Sequence, residues 1–231
     1  MAATSVGPDV MVGHNLDETR MQARGLVSAA VGLIMLLMVT GCNYHQRLDV
    51  NRLPALPEHD QIPLRTVLLL EDETCKFTYK VDQSRSMRTW VYPMGKTLCA
   101  YSEAVARDVF SAVEVVTRAN QATARVLAGE ADVILLPRVL GVLVYFPSFP
   151  QSIWEKQEVE MILEWLIMDA EEKALWSHTE GSIQDRRAGT FLTRAGLNRK
   201  AMQAALDDVF VKLRDRLLSS PEIRDLVATR R

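Results

Sequence analysis

Three cysteines, four histidines and a run of closely spaced glutamates are the side chains of this chain that could carry chemistry. Cys42 stands apart from the rest. It follows Val39-Thr40-Gly41, at the end of a stretch from Gly25 to Gly41 that contains no charge. The small pair Thr40-Gly41 suits a protease site. Cys75 and Cys99 form an even pair, in neither a C-x-x-C nor a metal-ligand spacing. Two readings stay open for them: a disulfide, closing a loop of roughly 25 residues and stabilising by about 2–4 kcal/mol, or two separate buried thiols.

Other groupings carry weaker chemistry. Glu155, Glu158, Glu160 and Glu164 could pair as carboxylates for hydrolysis, but their alternation with apolar residues reads as the solvated face of a strand. His178 lies beside Trp176 with no nucleophile elbow in the chain to serve, and His14, His45 and His59 are scattered. Gly95-Lys96-Thr97 resembles the end of a phosphate-binding P-loop, but position 90 is Trp where that loop needs glycine, so a turn with a Thr cap is the simpler reading. No catalytic residue and no metal site is assigned. The apolar stretch Val142, Val144, Phe146, Phe149, Ile153 and Trp154 is either core or a partner surface. Arg186 and Arg187, with Arg194, Arg199 and Lys200, make a locally basic stretch that either meets an anionic headgroup, a glycan or an acidic partner or is simply a solvated loop.

Val39-Thr40-Gly41-Cys42 resembles a bacterial lipobox, in which an aliphatic residue and two small residues precede an obligatory cysteine. The resemblance implies cleavage before Cys42 and a diacylglycerol, with further acyl chains such as palmitate, on that residue. It makes the covalent lipid the one attached group, with no other cofactor expected, and the membrane the first partner. Asn43 after the cysteine, by the same resemblance, implies release to the outer membrane facing the periplasm.

The segment before Cys42 supports an export signal on physical grounds. Arg20 and Arg24 lie ahead of the apolar run, as a positive n-region should. The run falls just short of the roughly 20 residues that cross a bilayer, leaving an uncleaved anchor as the alternative. Pro8, Asp9, Asp17 and Glu18 are odd in an n-region, so Met21 is the more ordinary start. Residues 1–41 are therefore read as a signal peptide, 42–63 as a lipidated cysteine with a flexible, proline-containing linker, and 64–231 as one domain. An ordered extended arm is the alternative for the linker. A net charge of −2 leaves no electrostatic footprint for nucleic acid.

The elements that must position these residues follow from periodicity. Thr66 to Leu70 is a strong strand, and Cys75, Phe77, Tyr79 and Val81 alternate with polar residues as a second. Thr97 is placed as the cap of a helix from Leu98 to about Val113, and Asn120 to Ala128 as a short helix. Ala131 to Leu136 is a buried strand. Val159, Met161, Leu163, Trp165 and Ile167 mark the longest strand, with Ala174 to Thr179 its antiparallel partner and Gly181 to Arg194 a loop. Met202, Leu206, Val209, Leu213 and Leu217 form the stripe of a final helix capped by Asn198, with a further helix from Pro221. The class is α+β: a two-layer sandwich, mainly antiparallel, with two amphipathic helices on one face.

The mature part resembles, in layout, small envelope accessory lipoproteins, namely the auxiliary lipoproteins of lipid-transporting ABC systems and the lipoprotein partner of the lipopolysaccharide translocon. Cys42, the strand Ala131-Asp132-Val133-Ile134-Leu135, the strand Leu175-Trp176 after a polar turn, and the last amphipathic helix carry that likeness. It implies a non-enzymatic adaptor with an envelope protein partner. A lipid carrier with an apolar cavity and an envelope hydrolase are the two alternatives.

Overall fold

The computed structural model describes residues 42–51, 61–83, 88–145, 156–187 and 194–230. The apolar run 25–41, and with it the signal-peptide reading, lies outside them. The chain divides into two units. One comprises Met1–Asn43 and Asp82–Thr89, of which the described residues are strand ends only; the other, Tyr44–Val81 with Trp90–Arg231, holds the core and, Cys42 apart, every site discussed below.

In chain order the strands are β1 (Cys42–His45), β2 (Ile62–Leu69), β3 (Thr78–Gln83), β4 (Arg88–Pro93), β5 (Phe110–Val116), β6 (Val133–Tyr145), β7 (Lys156–Met168) and β8 (Ala174–Arg187). The helices are α1 (Asp72–Cys75), α2 (Gly95–Val109), α3 (Ala119–Leu127), α4 (Arg194–Ser219) and α5 (Pro221–Arg230). The main sheet has the order β5-β2-β6-β7-β8, and a smaller one the order β1-β4-β3.

The expected α+β class holds, with a mixed main sheet. β2 pairs in parallel with both β5 and β6, while β6-β7 and β7-β8 are long antiparallel ladders. The parallel half explains why β2 reads as a continuous apolar run. Leu64 and Leu68 face the layer formed by α2 and α4, whereas Val67 and Leu69 face α3 through Ala122 and Val126. A strand covered on both sides has no solvent face to mark with polar residues. So α2 and α4 share one face as expected, and α3 adds a partial third layer on the other.

β7 records that boundary in its sequence. Val159, Met161, Leu163, Trp165 and Ile167 all point into the α2/α4 core. The alternate positions are Glu158, Glu160, the half-buried Ile162 and Glu164 until α3 arrives, after which they become the buried Leu166 and Met168. Across the core, α4 buries Met202, Leu206, Val209, Leu213 and Leu217 fully. Its Phe210 stacks on Tyr101 of α2 with centroids 5.0 Å apart and meets Trp165 edge-on at 6.1 Å. Each such burial contributes about 1.5–3 kcal/mol.

Several expected boundaries move, each for a tertiary reason. α2 stops at Val109 rather than near Val113, because Phe110–Val116 is taken into the parallel ladder with β2. Cys75, Phe77, Tyr79 and Val81 are half-buried in alternation as expected, yet residues 72–75 form a helical turn and the strand starts at Thr78. β8 runs on through the expected loop to Arg187, because β7 offers it a partner residue by residue from Met168 to Lys156. α4 begins at Arg194, ahead of the expected cap Asn198. At its other end, the Ser220 hydroxyl accepts from Ile223 N (3.4 Å) and Pro221 opens α5, so one short segment ends one helix and starts the next.

Candidate functional site

Of the expected linker, residues 52–60 lie outside the described residues, and 45–51 do not behave as a free chain. Cys42 opens β1, Gln46 N donates to Val91 O of β4 (2.9 Å), and Leu48 is buried. The ordered-arm alternative describes residues 45–51. Its outer half is fastened to α2 and α4 by polar groups. The Gln203 side-chain amide accepts from Asp49 N and donates to Asp49 O, both at 2.9 Å, mimicking a strand partner. Arg199 pairs with the Asp49 carboxylate. Asn51 N donates to the Tyr101 hydroxyl (2.8 Å), and Asn51 Nδ2 to Asp207 Oδ2 (2.8 Å). Tyr101 in turn donates to Asp207 Oδ1. Burial, then the bond to Asp207, raise the Tyr101 phenol well above its ordinary value, so it is a neutral donor.

The start of α2 explains Gly95-Lys96-Thr97 without a nucleotide. Gly95 N donates to Phe77 O (2.8 Å), and a Cβ at Gly95 would lie 2.2 Å from Cys75 O. Only glycine permits that approach. Thr97 lies inside the helix rather than capping it, and its hydroxyl donates to Leu48 O (3.2 Å), fastening the arm. Cys75 and Cys99 form a disulfide, Cα–Cα 5.6 Å, that ties α1 to α2. Between the arm and these elements lies a groove of about 680 Å³, lined among others by His45, Arg47, Val50, Lys76, Phe77 and Lys96.

The outer strands decide the proposed surfaces. Val142 is 6% exposed and points into the α2/α4 core, and Val144 packs half-buried on the same core, so neither belongs to an exposed patch. The register sends the intervening residues outward instead: Leu143 is 61% exposed and Tyr145 55%. Leu143 is level with Glu160 of β7, which is level with Ile183 of β8, 65% exposed. Tyr145, Glu158 and Asp185 make the next row, and Gly141, Ile162 and Gly181 the one before. Phe146, Phe149, Ile153 and Trp154 lie outside the described residues. Arg186 and Arg187 end β8 opposite Gln157 and Lys156.

The hydrolase candidates are not brought together. His178 is level with Trp165 and so faces the helices, whereas Glu158, Glu160 and Glu164 occupy the opposite face; Glu155 lies outside the described residues. His178 Nε2 lies 3.1 Å from Glu180 on its own strand and stacks on Trp176. Nearby, Ser182 donates to Asp208 of α4 (2.6 Å), and Lys212 pairs with the same carboxylate (2.9 Å). Burial pushes Asp208 up, but the bonds from Lys212 and Ser182 and the Lys212 charge outweigh it and hold the acid below its usual range. That makes a structural link between β8 and α4 and a poor base. Among the described residues there is no cluster of three metal-ligating side chains and no helix long and apolar enough to cross a membrane.

The sequence reading missed Tyr101, Asn51, Gln203 and Asp207 as a group. Gln203 and Asp207 did stand at i and i+4, off the apolar stripe of α4, which was the available signal. Leu143 and Ile183 were passed over because parity along β6 and β8 is visible only once the register is known.

The fold and these sites define a class: an α+β domain with a mixed sheet, helices on its covered face, and an N-terminal arm latched across those helices. No protein-family model and no curated protein matches the chain. Solved structures similar to it include a DUF330-family protein from Xanthomonas campestris (14% identity, 77% of this chain and 94% of that one, TM-score 0.46). Bacterial lipoproteins are also among them. A minor lipoprotein from Acinetobacter baumannii has 9% identity over 69% of this chain and 94% of its own, TM-score 0.39. Lipoprotein GNA1162 from Neisseria meningitidis has 9% identity over 63% and 99%, TM-score 0.29. At these scores the likeness is one of layout and bears on nothing beyond it.

Proposed function

We propose that the chain is a lipid-anchored, non-enzymatic accessory protein of a bacterial envelope complex, acylated at Cys42 and facing the periplasm from the outer membrane. The observation that carries this is the apolar run 25–41 ending in Thr40-Gly41-Cys42, followed within a few residues by chain that is fastened to the domain. Acyl chains on Cys42 would then hold the domain against the membrane with little slack, raising its effective concentration near a membrane partner. The Cys75–Cys99 disulfide agrees with an oxidising compartment.

The partner contact falls on the open face of β6, β7 and β8. There Leu143, Tyr145 and Ile183 are exposed among Glu158, Glu160, Glu164 and Asp185, which favours a partner with apolar anchors and a basic rim. The space between the sheet and the helices α2 and α4 is filled by Trp165, Tyr101, Phe210 and their neighbours, which speaks against the lipid-carrier reading.

Metabolic labelling with an alkyne fatty acid tests the anchor. Label on the wild type and none on Cys42→Ala supports it, and equal labelling of the two refutes it. A photo-crosslinker at Leu143 or Ile183 tests the face. One envelope protein should be captured there and not from an exposed position on α5 such as Arg224.

A further inference from the structure

The groove beside the arm has a composition that the accessory reading does not use. Its cationic side chains come from three separate segments: Arg47 from the arm, Lys76 after α1, and Lys96 in the first turn of α2, with His45 also in the lining. Lys76 is shared with Asp72 (2.7 Å). Arg47 and Lys96 make no ion pair among the described residues. The acid in the lining, Asp49, is already committed to Arg199. Phe77, Leu48, Val50 and Pro93 supply apolar wall beside these charges. A cleft of this size is in the usual range for a small ligand, about 300–1,000 Å³. Cations grouped around a part-apolar cleft suit a ligand with an anionic head and an apolar shoulder.

Position adds a second argument. His45 is in the groove's lining and three residues from Cys42, so at most about 11 Å of chain separates it from an acylated cysteine. One headgroup layer is about 5–8 Å thick, so the groove would lie at or just above the headgroups of the leaflet that carries the anchor.

We infer that this groove binds a phosphate ester, held by Arg47 and Lys96 with Lys76 in support. Its source is the headgroup of an anionic phospholipid in the leaflet that carries the anchor. The headgroup source rests on acylation at Cys42; the anion site itself does not. Occupancy would orient the domain on the membrane as well as tether it, since a lipid on Cys42 fixes one point and a bound headgroup a second.

The test uses the full chain in non-ionic detergent, in wild-type and Cys42→Ser forms. Each is titrated calorimetrically with dioctanoylphosphatidylglycerol, dioctanoylphosphatidylcholine and sn-glycerol 3-phosphate. Phosphatidylglycerol should bind, the choline lipid at least about tenfold more weakly, and added salt should weaken binding because the cations are exposed. Arg47→Gln with Lys96→Gln should lower affinity at least about tenfold, while Lys200→Gln with Arg224→Gln, the same charge removed elsewhere, should not. Equal binding of the two lipids, or equal loss from the two double variants, overturns the site. Glycerol phosphate binding as tightly as phosphatidylglycerol supports the phosphate chemistry and overturns the headgroup as its source. Fatty-acid labelling of the wild type reads the anchor separately, and the Cys42→Ser titration stands whichever way that falls.

Discussion

Tyr101→Phe removes one oxygen from the centre of the latch and leaves its surroundings in place. The ring keeps its stack on Phe210, with centroids 5.0 Å apart, so the core is not opened. What disappears is the hydrogen bond to Asp207 and the acceptor for Asn51 N and, at 3.3 Å, for Gln203 Nε2. Asn51 is exposed, so water can replace its lost partner at little cost. The bond to the carboxylate is partly buried and water replaces it less well. A hydrogen bond to a charged group contributes about 1.5–3 kcal/mol, and that is the expected loss. With a slope of about 2 kcal/mol per molar urea, the unfolding midpoint should fall by about 1 M at unchanged slope. Hydrogen exchange should quicken at the amides of Asp49 and Asn51, with the strands β6 and β7 affected only through global stability. A loss below about 0.5 kcal/mol together with unchanged exchange at those two amides would falsify the latch. The pH dependence gives a second handle. The folded phenol is held above its ordinary value, so its contribution is complete below about pH 10, where the unfolded tyrosine begins to ionise, and declines as pH climbs toward the folded value. The gap between wild type and Tyr101→Phe should therefore narrow above pH 10.

Neighbouring positions on β6 should respond in opposite ways. Val142→Asp places a charge in the core and should cost more than about 3 kcal/mol or prevent folding, whereas Leu143→Asp should stay within about 1 kcal/mol by urea unfolding. Similar costs at both would show the register to be wrong. Gly95→Ala drives a methyl into the Cys75 carbonyl and should destabilise by about 3 kcal/mol or more, an unusual penalty for alanine in a helix; a melting temperature equal to wild type would dismiss the close approach. Replacing Cys75 and Cys99 together by Ala should lower stability by about 2–4 kcal/mol, and reductant should then have no further effect on the melt. Asp208 is held below its usual range, so its stabilising share is present above about pH 4 and disappears as pH falls through the lower folded value. Asp208→Asn should flatten the acid limb of the stability curve, and an unchanged limb would remove the Asp208–Ser182–Lys212 link from the account.

The amino-acid sequence by itself determined the parts of this protein that local pattern controls. The stripe of α4, the odd-position core of β7 and the apolar run of β2 are all readable because a 3.6-residue or two-residue period needs no knowledge of the partner. Tertiary structure alone decided what depends on who lies opposite. Whether Val142 or Leu143 faces out turns on the register with β7, in which a shift of one residue reverses every side chain. Whether residues 45–51 form a linker or a latched arm turns on Gln203, Asp207 and Tyr101, which are remote in the chain and meet Asp49 and Asn51 only after α2 and α4 have packed. Gly95 gives the same lesson at one residue: its neighbours in sequence read as a turn, and the carbonyl of Cys75 supplies the reason for the glycine.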